Sequence, residues 1–183
     1  NRFTALAIDC VLNQSHSHFH PLVFCGPSGV GKTHVARGLA RRWNELGGRG
    51  RAIYTTATQY ARQLKAVIQS NKVAQFRDRH RNASLLVVED LGDLTNMRAM
   101  QRELLSTLDA VGRTGGRVII TSRLPPLGYR KLLTSLRSRL SSGLVLALSP
   151  PSAPARLELI HTIAIQRKLN LPEGAGSLLA DAI

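Results

Sequence analysis

Residues 25–43 read CGPSGVGKTHVARGLARRW, and the start of that stretch decides the fold. Gly26-Pro27-Ser28-Gly29-Val30-Gly31-Lys32-Thr33 satisfies G-x-x-x-x-G-K-[ST] at every fixed position. The four apolar residues Leu22, Val23, Phe24 and Cys25 lead into it as a short buried strand. After it, Val35, Ala36, Leu39, Ala40 and Trp43 recur at helical spacing. Strand, glycine loop and helix are the setting in which this motif binds phosphate. Glycines let successive backbone N–H groups point into one concavity, and the helix N-terminus adds partial positive charge. The loop residues, with His34 just beyond them, are therefore expected to hold a nucleoside triphosphate. Lys32 would meet its phosphates and Thr33 a magnesium ion.

Triphosphate chemistry also needs acids, usually from the end of another strand. Leu85-Leu86-Val87-Val88-Glu89-Asp90 supplies them, four apolar residues followed by two carboxylates. Adjacent acids closing a buried strand are costly unless a cation or polar site meets them. Glu89 is assigned to the magnesium shell and Asp90 to the attacking water. Val118-Ile119-Ile120-Thr121-Ser122-Arg123 ends a further strand with two hydroxyls, placing Thr121 or Ser122 near the γ-phosphate. Arg137-Ser138-Arg139 lies far along the chain from the loop, and either arginine fits a surface ion pair or a contact to a neighbouring subunit.

The rest of the chain agrees with an α/β reading. Short apolar runs at 22–25, 52–55, 85–89, 118–121 and 144–148 have the composition of strands buried on both faces of a parallel sheet. Helical patterns at 32–46, 58–70, 72–80, 97–111, 129–140 and 153–168 separate them. The pattern is that of a five-stranded parallel sheet with helices on both faces, and similarity to ATPases with such a loop implies the order 5-1-4-3-2. Residues 1–14 read as an amphipathic helix. Residues 1–171 form the nucleotide-binding domain, a hinge follows at 172–176, and 172–183 begins a truncated helical lid.

Twenty-five Lys and Arg face eleven Asp and Glu, a formal charge of +14. That excess implies a polyanionic partner, most simply nucleic acid. Arg77-Asp78-Arg79-His80-Arg81 reads as a solvated charged face, and His16, His18 and His20 as loop histidines in solvent. Cys10 and Cys25 sit singly among apolar neighbours, as reduced thiols of a cytoplasmic protein do. No run of eighteen apolar residues is present to span a membrane.

The segments GPSGVGKTHVARGLA, LLVVEDLGDL, VIITSRLPP and LRSRLSSGLVLALSPPSAPARLELI resemble, in order and spacing, the AAA+ domain of the DnaA family of bacterial replication initiators. The extra helix at 71–81 and the R-S-R-x-x-x-G-L block are the more specific parts. The resemblance implies ATP and ADP as ligands with Mg²⁺, and slow hydrolysis used as a switch. It also implies ATP-dependent assembly into a helical filament on origin DNA, single-stranded and duplex, and a link to the replicative helicase machinery. By the same resemblance Arg139 is an arginine finger acting on the next protomer's ATP. Asn1 matches an asparagine of the helix that helps enclose adenine. Lys65 falls where the single-strand path runs, with Arg62 and Arg98 as further DNA contacts.

Three departures from the family pattern stand out. Glu89-Asp90 replaces a pair of aspartates, and Thr121-Ser122-Arg123 replaces T-S-D. The segment Asn96-Met97-Arg98-Ala99-Met100-Gln101 replaces G-K-E-R-T-Q, keeping one positive charge one place early. A helicase-loader or transposition-helper ATPase, and a nucleotide-binding regulator without useful hydrolysis, are the alternative readings.

Overall fold

The computed structural model describes residues 2–13, 20–46, 50–172 and 174–182. Asn1, His16 and His18 lie outside the described residues. Five strands, β1 (Leu22–Cys25), β2 (Ala52–Thr56), β3 (Leu85–Glu89), β4 (Arg117–Ser122) and β5 (Leu144–Ala147), form one sheet. Its order is β2-β3-β4-β1-β5, the expected order read from the other edge, and every pairing is parallel. All residues of β1, β3 and β4 are buried, which explains why their central residues run apolar in succession rather than alternating.

The two-residue period of the strands divides the core into two layers. Leu22, Phe24, Leu85, Val87 and Ile119 pack under α1 (Arg2–Asn13) and α2 (Lys32–Glu45), against Leu39 and Trp43. Val23, Leu86, Val88, Val118 and Ile120 face the other way. They meet α3 (Ala57–Gln69), α4 (Val73–Arg81), α5 (Arg98–Arg113) and α6 (Thr134–Ser141). β2 runs into α3 without a loop because Thr56 and Gln59 form a capping box. Gln59 N–H donates to Thr56 Oγ1 at 3.1 Å, and Thr56 N–H donates to Gln59 Oε1 at 3.3 Å.

Three local expectations change in the structure. The helix expected at 129–140 begins only at Thr134. Tyr129 is instead anchored in the tertiary structure, its hydroxyl accepting from the Arg123 and Leu124 N–H groups at 3.0 and 3.2 Å. The solvated-face reading of 77–81 fails at His80, which is buried against Tyr60 and Phe76 and bonds the Phe76 carbonyl. His20 is also no solvent histidine. Arg117 Nη1 donates to its Nε2, and its Nδ1 is buried.

The chain divides into two compact units, 1–148 and 149–183. In the second, α7 (Ala153–Gln166) packs with α8 (Ala175–Ala182), and Arg156 bonds the Ala180 and Pro151 carbonyls at 2.5 and 3.0 Å. No helix among the described residues is long and apolar enough to cross a membrane.

Candidate functional site

The glycine loop leaves the C-terminal end of β1, near the middle of the sheet. Gly26 must be glycine, since a Cβ there would stand 2.3 Å from the Leu148 carbonyl oxygen. Gly31 enters α2 with φ 92° and no side-chain cap. The first amides of α2 therefore keep their donors free for an outside acceptor. Lys32, 8% exposed, folds back over the loop and donates from Nζ to the Gly26 and Pro27 carbonyls at 2.8 and 2.6 Å. Phosphate oxygens within its reach are acceptors that its Nζ can take in exchange.

The loop opens on a cavity of about 800 Å³ that gathers groups from three strand ends. Ser28, Gly29, Gly31, Lys32, Thr33 and His34 come from the loop after β1, Asp90 from the end of β3, and Arg123 from the end of β4. Arg37 and Arg41 extend the wall along α2. Pro27 is exposed and Val30 half-buried, neither on the cavity wall. Asp90 has φ 56°, uncommon for a residue with a side chain, and its N–H donates to Thr121 Oγ1 at 3.1 Å. Ser122 is fully buried, with its hydroxyl donating to the Leu124 carbonyl at 2.7 Å. Arg123 is the residue of that strand end that reaches the cavity wall.

Glu89 is 2% exposed at the C-terminal end of β3. Tyr54 donates its hydroxyl proton to Glu89 Oε2, and Arg37 Nε donates to the same phenol oxygen at 2.8 Å. Burial first, and then the bond to Glu89, pushes the Tyr54 phenol up to about 12, so it stays a donor at neutral pH. Glu89 Oε1 is buried without a hydrogen-bond partner among the described residues. A buried carboxylate oxygen left without a donor is the kind of ligand a hard divalent cation prefers. Sequence reasoning missed Tyr54 and Arg37. The only local signal was an aromatic residue inside β2.

Arg139 stands elsewhere. It lines a second cavity of about 440 Å³ with His20, Asp109, Arg113 and Arg117, where β1 and β4 begin. Its Nε donates to Asp109 Oδ1 at 2.8 Å and its Nη1 to the His20 carbonyl at 2.9 Å. The glycine loop and Arg139 thus lie at opposite ends of the strands of one parallel sheet. Arg62 and Lys65 are exposed one turn apart on α3, and Arg98 is exposed at the first position of α5. A cation at that end of a helix is disfavoured by the helix dipole, so Arg98 does not stabilise α5.

A five-stranded parallel sheet in this order, with a phosphate loop after β1 and acids after β3, defines a P-loop ATPase domain of the AAA+ type. The family of the bacterial DnaA ATPase domain matches residues 1–147, and the chain belongs to it. The chromosomal replication initiator DnaA of Caulobacter vibrioides is 32% identical over 161 residues, 88% of this chain and 33% of that protein. The chain thus spans about a third of the length of that relative. The AMPPCP-bound DnaA of Aquifex aeolicus has the same fold, with a TM-score of 0.90 at 20% identity over 100% of this chain and 57% of that one. A replication initiator DnaA bound to AMPPCP and single-stranded DNA gives 0.88 at 19% identity, over 100% of this chain and 56% of the other.

Proposed function

We propose that this domain binds ATP with Mg²⁺, hydrolyses it slowly, and uses the bound state as a switch for assembly on replication-origin DNA. The convergence of the glycine loop, Asp90 and Arg123 on one cavity carries the reading. The loop residues from Gly26 to Thr33, with His34, hold the nucleotide, and Thr33 with Glu89 holds the cation. Bound Mg²⁺ supplies charge neutralisation at the phosphates. Asp90 orients the attacking water, the family resemblance adds Asn1 beside the adenine, and Arg139 acts on the ATP of the next protomer. Arg123 places a cation beside the phosphates where relatives place an acid. It stabilises bound triphosphate without helping to orient water, which suits a switch.

Lys65, Arg62 and Arg98 follow a single DNA strand along α3 and the start of α5. The +14 charge and the single-stranded DNA bound by a related DnaA support this assignment. Residues 172–183 belong to a helical lid. The proposal extends, with membership of the family as its support, to a helical filament, duplex origin DNA, the replicative helicase machinery and a cytoplasmic location.

ATP titration and particle size test the proposal together. Wild type is expected to bind ATP, to enlarge with ATP and single-stranded DNA but not with ADP, and to turn over below about 1 s⁻¹ once assembled. Lys32→Ala is expected to stay folded and lose tight ATP binding, because Nζ contacts loop carbonyls and not the apolar core. Unchanged ATP affinity in folded Lys32→Ala refutes the site.

A further inference from the structure

The two oxygens of Glu89 have different surroundings. Oε2 accepts from Tyr54, whereas Oε1 is buried with no partner among the described residues. A buried acceptor left unpaired is costly, and more so when charged. The sheet register explains why Tyr54 reaches this carboxylate. Glu89 lies opposite Thr56, and Tyr54 is two residues earlier on the same face of β2. That is a diagonal neighbour, within reach of an aromatic side chain.

The direction of the hydrogen bonds is fixed by chemistry. A guanidinium can only donate and a carboxylate can only accept, so the phenol receives from Arg37 and gives its single proton to Glu89. Arg37 also stands over the Tyr54 ring, 5.5 Å from its centroid, and lines the phosphate cavity. A glutamate has one more rotatable bond than an aspartate, so an untethered Glu89 would spread its carboxylate over more positions.

We infer that Tyr54, steadied by Arg37, is a positioning residue that pins one oxygen of Glu89 and presents the other to the divalent cation accompanying a bound triphosphate. The inference rests on the nucleotide reading above. It adds a residue from the edge strand β2 to a cation site otherwise built from the loop and β3. It also gives the longer acid a means of being held where a shorter one would need none.

The test titrates Mg²⁺ into the protein with a fluorescent ATP analogue. Tyr54→Phe is expected to leave affinity without Mg²⁺ unchanged and to raise the half-effective Mg²⁺ concentration about 10-fold. Loss of a hydrogen-bonding partner behind a metal ligand has an effect of that size. Added to Glu89→Gln, the same substitution is expected to change nothing further. A wild-type Mg²⁺ midpoint in Tyr54→Phe overturns the inference, and so does an equal shift in the Glu89→Gln background. Should Tyr54→Phe not fold, exposed Arg37→Ala is expected to move the midpoint in the same direction, and an unchanged midpoint there overturns it. Absence of ATP binding by wild type at every Mg²⁺ concentration refutes the nucleotide reading and the inference with it. Wild-type Mg²⁺ dependence in a Tyr54→Phe protein that binds ATP refutes the inference alone.

Discussion

His20 is held neutral by its surroundings. Burial first, and then the Arg117 and Arg139 guanidiniums, lowers its pKa to about 4, against 6.5 in an unfolded chain. Between these values the unfolded chain binds the extra proton and the folded one does not, so stability falls as pH drops from about 6.5 towards 4. Replacing His20 with Asn should flatten that part of the stability–pH curve, measured by urea denaturation at pH 7 and pH 5. An equal loss of stability in both proteins would assign the acid sensitivity to other groups. None of this was legible in the sequence, where His20 closes a run of alternating histidines. Its partners lie 97 and 119 residues away and are delivered by the sheet. The glycine loop was legible because its geometry is local, with every group it needs inside eight consecutive residues. Glu89 and Asp90 were legible as acids at a strand end, but Tyr54 was not, because strand pairing alone brings it to Glu89.

The α4–α5 pair shows the same division at the scale of elements. Periodicity located both helices, yet Arg77 and Arg81, one turn apart on α4, looked like surface charge. Both bond Glu103 of α5. Arg77 engages both carboxylate oxygens, its Nη2 at 2.7 Å from Oε2, and Arg81 Nη2 lies 2.8 Å from Oε1. The Glu103 side chain is 10% exposed, against 47% and 31% for its partners. Burial alone would raise its pKa, but the two arginines outweigh that and hold the carboxyl below its ordinary value. Exposed ion pairs contribute little, whereas bonds to a largely buried charge contribute about 1.5–3 kcal/mol. Glu103→Ala should therefore lower stability by about 2 kcal/mol, read as a lower urea midpoint with unchanged slope. A wild-type midpoint would place the clamp with ordinary surface pairs. The late start of α6 has a similar cause. Buried Gln101 accepts from the Leu133 N–H at 2.7 Å and donates to the Leu94 carbonyl at 2.7 Å, fixing the chain just before Thr134.

At the scale of the molecule, the strand order was legible from the alternation of apolar runs and helical patterns together with the family resemblance. What the sheet adds is distance. β1 is four residues long, roughly 13 Å at about 3.3 Å per residue, and it separates the glycine loop from the Arg139 cavity. An arginine across that span cannot serve the nucleotide of its own chain, so Arg139→Ala should bind ATP like wild type and fail to enlarge with it. Wild-type particle size would return Arg139 to a structural role beside Asp109.

A parallel sheet has a direction, and in the proposed contact the arginine and the nucleotide that receives it occupy its two ends. Any polymer built on that contact is polar, like a row of plugs and sockets. Its terminal subunits differ chemically: one offers an unmatched guanidinium, the other an unmatched nucleotide. Each substitution then blocks one terminus and spares the other. Lys32→Ala keeps the plug without the socket, and Arg139→Ala keeps the socket without the plug. Neither should associate alone. Mixed in equal amounts with ATP, the two should stop at a heterodimer, since each can satisfy only one side of the other. Sedimentation that finds only monomers in the mixture, or chains beyond two, contradicts the one-directional contact.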